Sequence, residues 1–232
     1  MLYIIPTPIG NREDITLRAM RLFKELNIFV CEDTRTLKKL LSMYEIDYSA
    51  KEFYSLTSFT NQGKMNHYLN LLSDNDVGLV SEAGTPGLSD PGKSLIQLCN
   101  KNKIEYTVLP GANALVPAVV ASGFDTSNFV YLGFIPQKKG RQTMLKEIIN
   151  PPLDSPLLRG AKKMPVFFYE SVHRFEKLLK ELRELGFEGK ISVSREISKK
   201  FEQIVNGSLE EVLDLVKEKK LPVKGEFVVG LY

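Results

Sequence analysis

Cysteine and histidine are scarce in this chain, with two of each among 232 residues. Cys31 and Cys99 stand in separate apolar contexts and not in a CxxC spacing, so neither a disulfide framework nor a zinc site is indicated. Both read as small buried hydrophobes. His67 and His173 have no ligand spacing around them, which leaves a metal site unsupported. Long apolar runs are missing as well. No stretch of about 18 apolar residues exists, and the opening Met1 to Ile5 run stops at Pro6 without a basic flank. The expectation is therefore a cytoplasmic protein with neither a membrane span nor a signal peptide. There is no internal repeat and no low-complexity tract. No two glycines are spaced GxG, which removes the Rossmann fingerprint.

What is present is the make-up of an ordinary globular enzyme, 43% hydrophobic and 25% charged, with a net charge of +3. That charge is too weak for a nucleic-acid coat protein and compatible with an acidic partner. Short runs rich in β-branched and aromatic residues predict strands at Leu2 to Ile5, Ile28 to Cys31, Glu52 to Ser55, Val77 to Ser81 and Glu105 to Leu109. Between them, Ala19, Leu22, Phe23 and Leu26, then Leu37, Leu40, Leu41 and Tyr44, recur at helical spacing. Such alternation implies βαβ crossovers and an α/β fold with a mainly parallel sheet. Past the Pro110-Gly111 turn, Ala114 to Ala121 reads as a buried helix opening a second half, giving domains 1–112 and 113–232. That half predicts strands at Val130 to Gly133, Val166 to Tyr169, Ile191 to Ser194 and Glu226 to Leu231, in a mixed sheet. Asn150 to Lys163, with three prolines and a glycine, reads as a loop or insertion.

Ligands of open α/β sheets bind beyond the carboxyl ends of strands, so the segments that follow strands are the candidate site. Pro6-Thr7-Pro8-Ile9-Gly10-Asn11 is stiffened by two prolines, and Gly10 permits close approach of a ligand. Glu32-Asp33-Thr34-Arg35 opens a helix, where acids either cap it or serve chemistry. Ser81 to Gly92 holds three glycines and two prolines in twelve residues. Inside it, Gly87 to Ser94 satisfies the phosphate-loop pattern GxxxxGK[ST], but five residues separate Ser81 from Gly87 and Pro91 removes an amide from the nest. Pro110-Gly111-Ala112-Asn113 forms a further turn. Later, Tyr169-Glu170-Ser171-Val172-His173-Arg174 follows a strand, with His173 a candidate general base. From Lys138 to Arg174 there are eight Lys/Arg against three Asp/Glu, including Lys138, Lys139, Arg141, Lys162 and Lys163 near Gly140 and Gly160. That is a basic footprint for a phosphate backbone or, equally, a solvated surface.

Taken in order, these strings resemble the tetrapyrrole-methylase-like, S-adenosylmethionine-dependent methyltransferases, and within them the members that modify ribosomal RNA. Further matches are Asp14-Ile15-Thr16-Leu17-Arg18-Ala19, Gly133-Phe134-Ile135-Pro136, Arg195-Glu196 and Lys224-Gly225-Glu226-Phe227. The resemblance implies two α/β domains with the methyl donor in the interdomain cleft, a homodimer, and 2′-O-methylation of a cytidine in the decoding region of small-subunit ribosomal RNA. Carried over by position, S-adenosyl-L-methionine would be held by Pro8, Gly10, Glu82, Ala83, Gly84, Thr85, Leu88, Asn113, Ala114, Tyr169 and Glu170. Glu32, Asp33, Arg35, Glu170, His173 and Arg174 would line the acceptor side, a carboxylate or His173 taking the proton and the arginines holding phosphate. The family's loop tolerates other residues where Lys93 and Ser94 stand, so the phosphate-loop match reads as accidental. Glu82, Asn113, Val172 and Thr36 depart from the family's usual residues, and Phe53 to Gln62 lacks its His/Glu-rich character. No small C-terminal extension follows the last predicted strand. The alternatives carried forward are a tetrapyrrole carbon methyltransferase, a donor-binding RNA-associated protein without catalysis and a phosphate-loop nucleotide-binding protein.

Overall fold

Strands whose residues are apolar at every position must be covered on both faces, and in the first half helices provide that cover. The computed structural model describes residues 1–57, 60–152, 154–159 and 162–232. Its contacts separate two units, Met1–Asn113 and Ala114–Tyr232. In the first, β1 (Leu2–Ile4), α1 (Leu17–Glu25), β2 (Ile28–Cys31), α2 (Thr34–Met43), β3 (Glu52–Ser55), α3 (Gln62–Asp74), β4 (Val77–Val80), α4 (Gly92–Asn102) and β5 (Tyr106–Val108) alternate strictly. The strands pair in the order β3-β2-β4-β1-β5, all parallel. Phe29, Cys31 and Val80 pack against Ala19, Leu22, Phe23, Leu37 and Leu41 of α1 and α2. Ile28, Val30, Val77 and Leu79 point the other way, onto Met65, Tyr68 and Leu72 of α3 and Leu95 and Cys99 of α4. The helices start where the sequence supplies caps: Thr16 accepts from Ala19 N and Asn61 from Lys64 N.

This strand order fixes where a ligand can bind. From β1 the chain moves toward β2 on one side, and from β4 it crosses β1 to reach β5 on the other. The carboxyl ends of β1 and β4 therefore flank a topological switch point, where the crossover connections diverge and leave a crevice.

The second unit contains α5 (Leu115–Ala121), β6 (Val130–Phe134), α6 (Arg141–Ile149), β7 (Leu158–Arg159), β8 (Lys162–Lys163), β9 (Val166–Glu170), α7 (Val172–Glu184), β10 (Lys190–Arg195), β11 (Gln203–Ser208), α8 (Leu209–Lys217) and β12 (Phe227–Leu231). Its five-stranded sheet runs β11-β10-β12-β9-β6, mixed as expected, with only β6 and β9 parallel. Phe175, Leu178, Leu179 and Leu182 form the stripe that seats α7, and the Phe175 ring stacks on Phe227 at 4.1 Å. Three expectations need correction. β11 was not foreseen. The 150–163 segment, expected to be a loop or insertion, carries the short β7-β8 pair, while Gly160 lies outside the described residues. The helix over 115–121 is buried on one side only, since Val116 and Val120 are exposed.

Candidate active site

The three proline- and glycine-bearing loops at the switch point are joined to one another. Thr7 and Gly84 exchange both backbone hydrogen bonds, each 3.0 Å, in an isolated antiparallel bridge between the segments that follow β1 and β4. Thr85 Oγ1 donates to the Ala112 carbonyl at 3.2 Å, bringing in the segment after β5. That segment also lies on the first loop, because a Cβ at Gly111 would come within 2.4 Å of the Pro6 Cβ. Only glycine permits this approach. Of the donor residues implied by resemblance, Pro8, Gly10, Glu82, Ala83, Gly84, Thr85, Leu88 and Asn113 all belong to this joined set. Gly84 is buried at the bridge, whereas Gly10, Glu82 and Ala83 are exposed.

The field over these loops is negative. The Asp90 carboxyl is pushed up to about 6 by burial, then by Glu32, with a hydrogen bond from Ser81 partly opposing and Glu82 adding a little. Glu32 is raised by burial and by Glu82. Glu32 and Asp90 thus lie close to one another, and Glu82 is near enough to raise both. Beneath them a niche of about 10 Å³, at the limit for one water, is bounded by Glu32, Ser81, Pro86, Asp90 and Pro91. A phosphate would meet repulsion here, whereas a cation would not. The apparent phosphate loop is also closed, since a Cβ at Gly92 would lie 3.1 Å from Gly87 N and 3.1 Å from a Leu79 methyl. Ser94 turns its hydroxyl back to the Pro91 carbonyl at 3.0 Å. Asp90 was named in the sequence only as part of a matching string. Its position two residues before a helix that starts at Gly92 was the available signal.

Asp33 caps α2, accepting from Arg35 N at 2.7 Å, and its other oxygen pairs with Arg35 Nη2 at 2.7 Å. Those bonds hold the Asp33 carboxyl down to about 2. The Arg35 side chain nonetheless remains 89% exposed.

In the second unit, Ala114 precedes α5, and Tyr169 lies between the rings of Tyr131 and Phe134, at 5.4 and 5.3 Å. His173 is exposed in the first turn of α7. Glu170 is placed differently from what the sequence suggested. Its carboxylate is fully buried, with Arg141 Nη2 2.9 Å from Oε2 and Arg174 Nε 2.8 Å from Oε1. Arg141 in turn pairs with Glu181 at 2.7 Å and donates to the Pro136 carbonyl, while Arg174 donates to the Ile135 carbonyl. Two guanidiniums and two carboxylates thus form a closed internal network. The carboxylate of Glu170 is unsuited to take a proton from substrate, and Arg174 is held by internal partners. The basic footprint shrinks for the same reason. Arg141 is 2% exposed, and Lys163 donates to the Ile149 carbonyl at 3.0 Å, its pKa lowered by burial. Lys138 and Lys139 remain exposed.

A wider hollow of about 290 Å³, lined by Arg21, Glu25, Asn27, Asn75 and Asp76, opens at the amino ends of β2 and β4. That is the end of a parallel sheet at which ligands are not expected. Among the described residues no cluster of His, Cys, Asp and Glu could hold a metal ion, and no helix is long and apolar enough to cross a membrane.

The model of the Tetrapyrrole (Corrin/Porphyrin) Methylases matches residues 1–213. Ribosomal RNA small subunit methyltransferase I of Helicobacter pylori (strain ATCC 700392 / 26695) is 37% identical, covering 100% of this chain and 82% of its own. The protein of the same name from Thermotoga maritima is 35% identical, covering 99% and 97%. Among solved structures, the methyltransferase CobJ superposes with a TM-score of 0.66 at 16% identity, covering 99% of this chain and 92% of that one. Uroporphyrin-III C-methyl transferase from Thermus thermophilus, complexed with S-adenyl homocysteine, gives 0.58 at 19% identity, covering 99% and 96%.

Proposed function

Because the chain belongs to the tetrapyrrole (corrin/porphyrin) methylase family, we propose that it transfers a methyl group from S-adenosylmethionine to small-subunit ribosomal RNA. The observation that carries this reading is end-to-end identity of 35–37% with relatives named for that activity. The carboxylates of Glu32 and Asp90 at the niche support the donor assignment, because they favour a sulfonium and an ammonium over a triphosphate. Bound there, the donor supplies a methyl carbon activated by its adjacent positive sulfur.

The remaining work is positional. The joined loops bearing Pro8, Gly10, Glu82 to Thr85, Leu88 and Asn113 hold the donor. The acceptor is the 2′-hydroxyl of a cytidine in the decoding region. Alignment of that oxygen with the methyl carbon supplies much of the rate. Arg35, exposed beside Asp33, holds an RNA phosphate. The hydroxyl proton passes to Glu32, whose raised carboxyl makes it the better acceptor beside the acid-shifted Asp33, or to His173. Glu170 and Arg174 position the start of α7. The protein acts in the cytoplasm as a homodimer, and sedimentation at micromolar concentration checks the latter.

Radiolabelled methyl transfer separates the readings. Label should enter small subunits or their RNA and survive base hydrolysis in a dinucleotide whose phosphodiester the 2′-O-methyl group protects. Label entering only a porphyrinoid would replace this reading with tetrapyrrole carbon methylation, and donor binding without transfer to any acceptor would replace it with a non-catalytic role. S-adenosylhomocysteine at about 100 times its Kd should add about 2.7 kcal/mol of stability. Stabilisation by ATP with magnesium alone would overturn the donor assignment.

A further inference from the structure

Two of the matching strings, Arg195-Glu196 and Lys224-Gly225-Glu226-Phe227, take no part in the site described above. The structure joins them into one pedestal. Arg195, buried at the end of β10, donates from Nε to the Lys224 carbonyl at 2.6 Å and from Nη1 to the Phe201 carbonyl at 2.9 Å. Glu196 occupies the space a Cβ at Gly225 would need and accepts from Glu226 N at 2.9 Å. Lys199 Nζ is fixed between Glu196 at 3.1 Å and Glu226 at 2.9 Å. The turn they hold is strained, with positive φ at both Glu196 (51°) and Ser198 (66°). All this rigidity presents an aromatic ring to solvent: Phe201 is 64% exposed.

Burying Phe201 would be the ordinary outcome for a ring beside a sheet, and a strained, internally clamped surface turn signals recognition. The surroundings name the partner's chemistry. Lys200 Nζ lies 5.6 Å from the Phe201 ring centre. Lys224 shares the Arg195 clamp with Phe201, and Gln203, two residues on, donates to the Lys220 carbonyl at 2.8 Å, next to Lys219. Lys200, Lys219 and Lys224 are exposed and enter no salt bridge among the described residues. An exposed apolar ring with the Lys200 ammonium against it, and with Lys219 and Lys224 on the turns that its clamp joins, matches a nucleobase flanked by phosphates, although Glu202 and Glu226 share the same turn region.

We propose that the Ser198 to Phe201 turn is an RNA docking platform, on which Phe201 stacks an unpaired base while Lys200, Lys219 and Lys224 neutralise the adjoining phosphates. The proposal rests on the reading of this chain as an RNA methyltransferase. The chain has no tryptophan, so Phe201→Trp provides a single tryptophan at the platform, excited selectively over the tyrosines. Its emission should be quenched by single-stranded RNA of about ten nucleotides and by small subunits, and left unchanged by a duplex of the same length. Phe201→Ala and Phe201→Leu should each weaken binding to small subunits roughly five- to hundred-fold with donor affinity unchanged, and Phe201→Tyr should restore it. Methyl transfer and subunit binding retained in Phe201→Ala, with no quenching in Phe201→Trp, would overturn the platform alone. An emission shift with intact subunits but not with RNA would assign the ring to a protein partner instead. Absence of RNA binding and of methyl transfer by the unsubstituted protein would remove both this proposal and the function beneath it.

Discussion

Asp90 shows how a single residue can set stability against function. Its carboxyl is held near 6 in the folded chain, above its ordinary value of 3.8. The native form therefore binds the proton more readily than the unfolded chain, so protonation adds stability as pH falls from about 6 toward 4. Above about 6 the charged carboxylate, partly desolvated beside Glu32, opposes folding. Asp90→Asn removes that charge. The variant should melt higher than the parent at pH 8, by about 2–4 °C for each kcal/mol recovered, and the gap should narrow by pH 5 and close only near pH 4. An equal gap at both pH values would show that packing rather than charge is responsible. The same substitution should weaken donor binding several-fold at pH 8, because it dilutes the negative field that favours a cation. Titration calorimetry with S-adenosylmethionine measures that loss.

Among the elements, α6, α7 and β9 are tied by charges that the sequence disguised. Arg141, Glu170 and Arg174 looked like surface or substrate-facing groups because nothing in linear order marks Arg141 as the partner of Glu170 or of Glu181, 40 residues on. Only the Glu170 to Arg174 spacing, one helical turn, hinted at a local pair. Arg141 Nη2 and Glu170 Oε2 have no hydrogen bond elsewhere, so each depends on the other. Arg141→Ala would leave two buried carboxylates short of a counter-charge, and should cost about 3–5 kcal/mol. That is a fall in Tm on the order of 6–20 °C. Combining Arg141→Met with Glu181→Met should recover only the part of the loss that comes from Glu181, since Glu170 is still left with Arg174 alone. Thermal unfolding of both variants checks this, and no recovery in the double variant would mean that the pair itself is a net stabiliser. β11 escaped the sequence for a different reason. It is an edge strand whose residues alternate between half-buried and exposed, Ile204 faces solvent, and Gly207 interrupts the β-forming run. Strands covered on both faces, such as β2 and β4, were legible because burial leaves them apolar throughout.

Across the whole molecule, the buried clusters respect the division of the chain. Ile28, Leu79, Phe23 and the residues packed with them all precede Asn113, whereas Phe168, Phe175, Leu231 and their neighbours all follow it. This organisation was readable because the period of the apolar residues reports local geometry, and βαβ alternation leaves few topologies to choose from. The loops at the strand ends were legible too, through prolines and glycines such as Pro6 and Gly111 that have no other reason to be adjacent in space. Charge pairing across the fold was not, since it depends on distances that no spacing encodes. A unit whose apolar residues are satisfied internally can fold alone. The fragment Ala114 to Tyr232 contains the larger cluster, the complete five-stranded mixed sheet and the Arg141 network. Expressed alone, it should unfold in one cooperative transition with an enthalpy on the order of 80 kcal/mol. Differential scanning calorimetry measures this directly. A gradual melt without a heat-absorption peak would mean that its sheet forms only within the full chain, and that the two clusters are one cooperative system despite their separation in sequence.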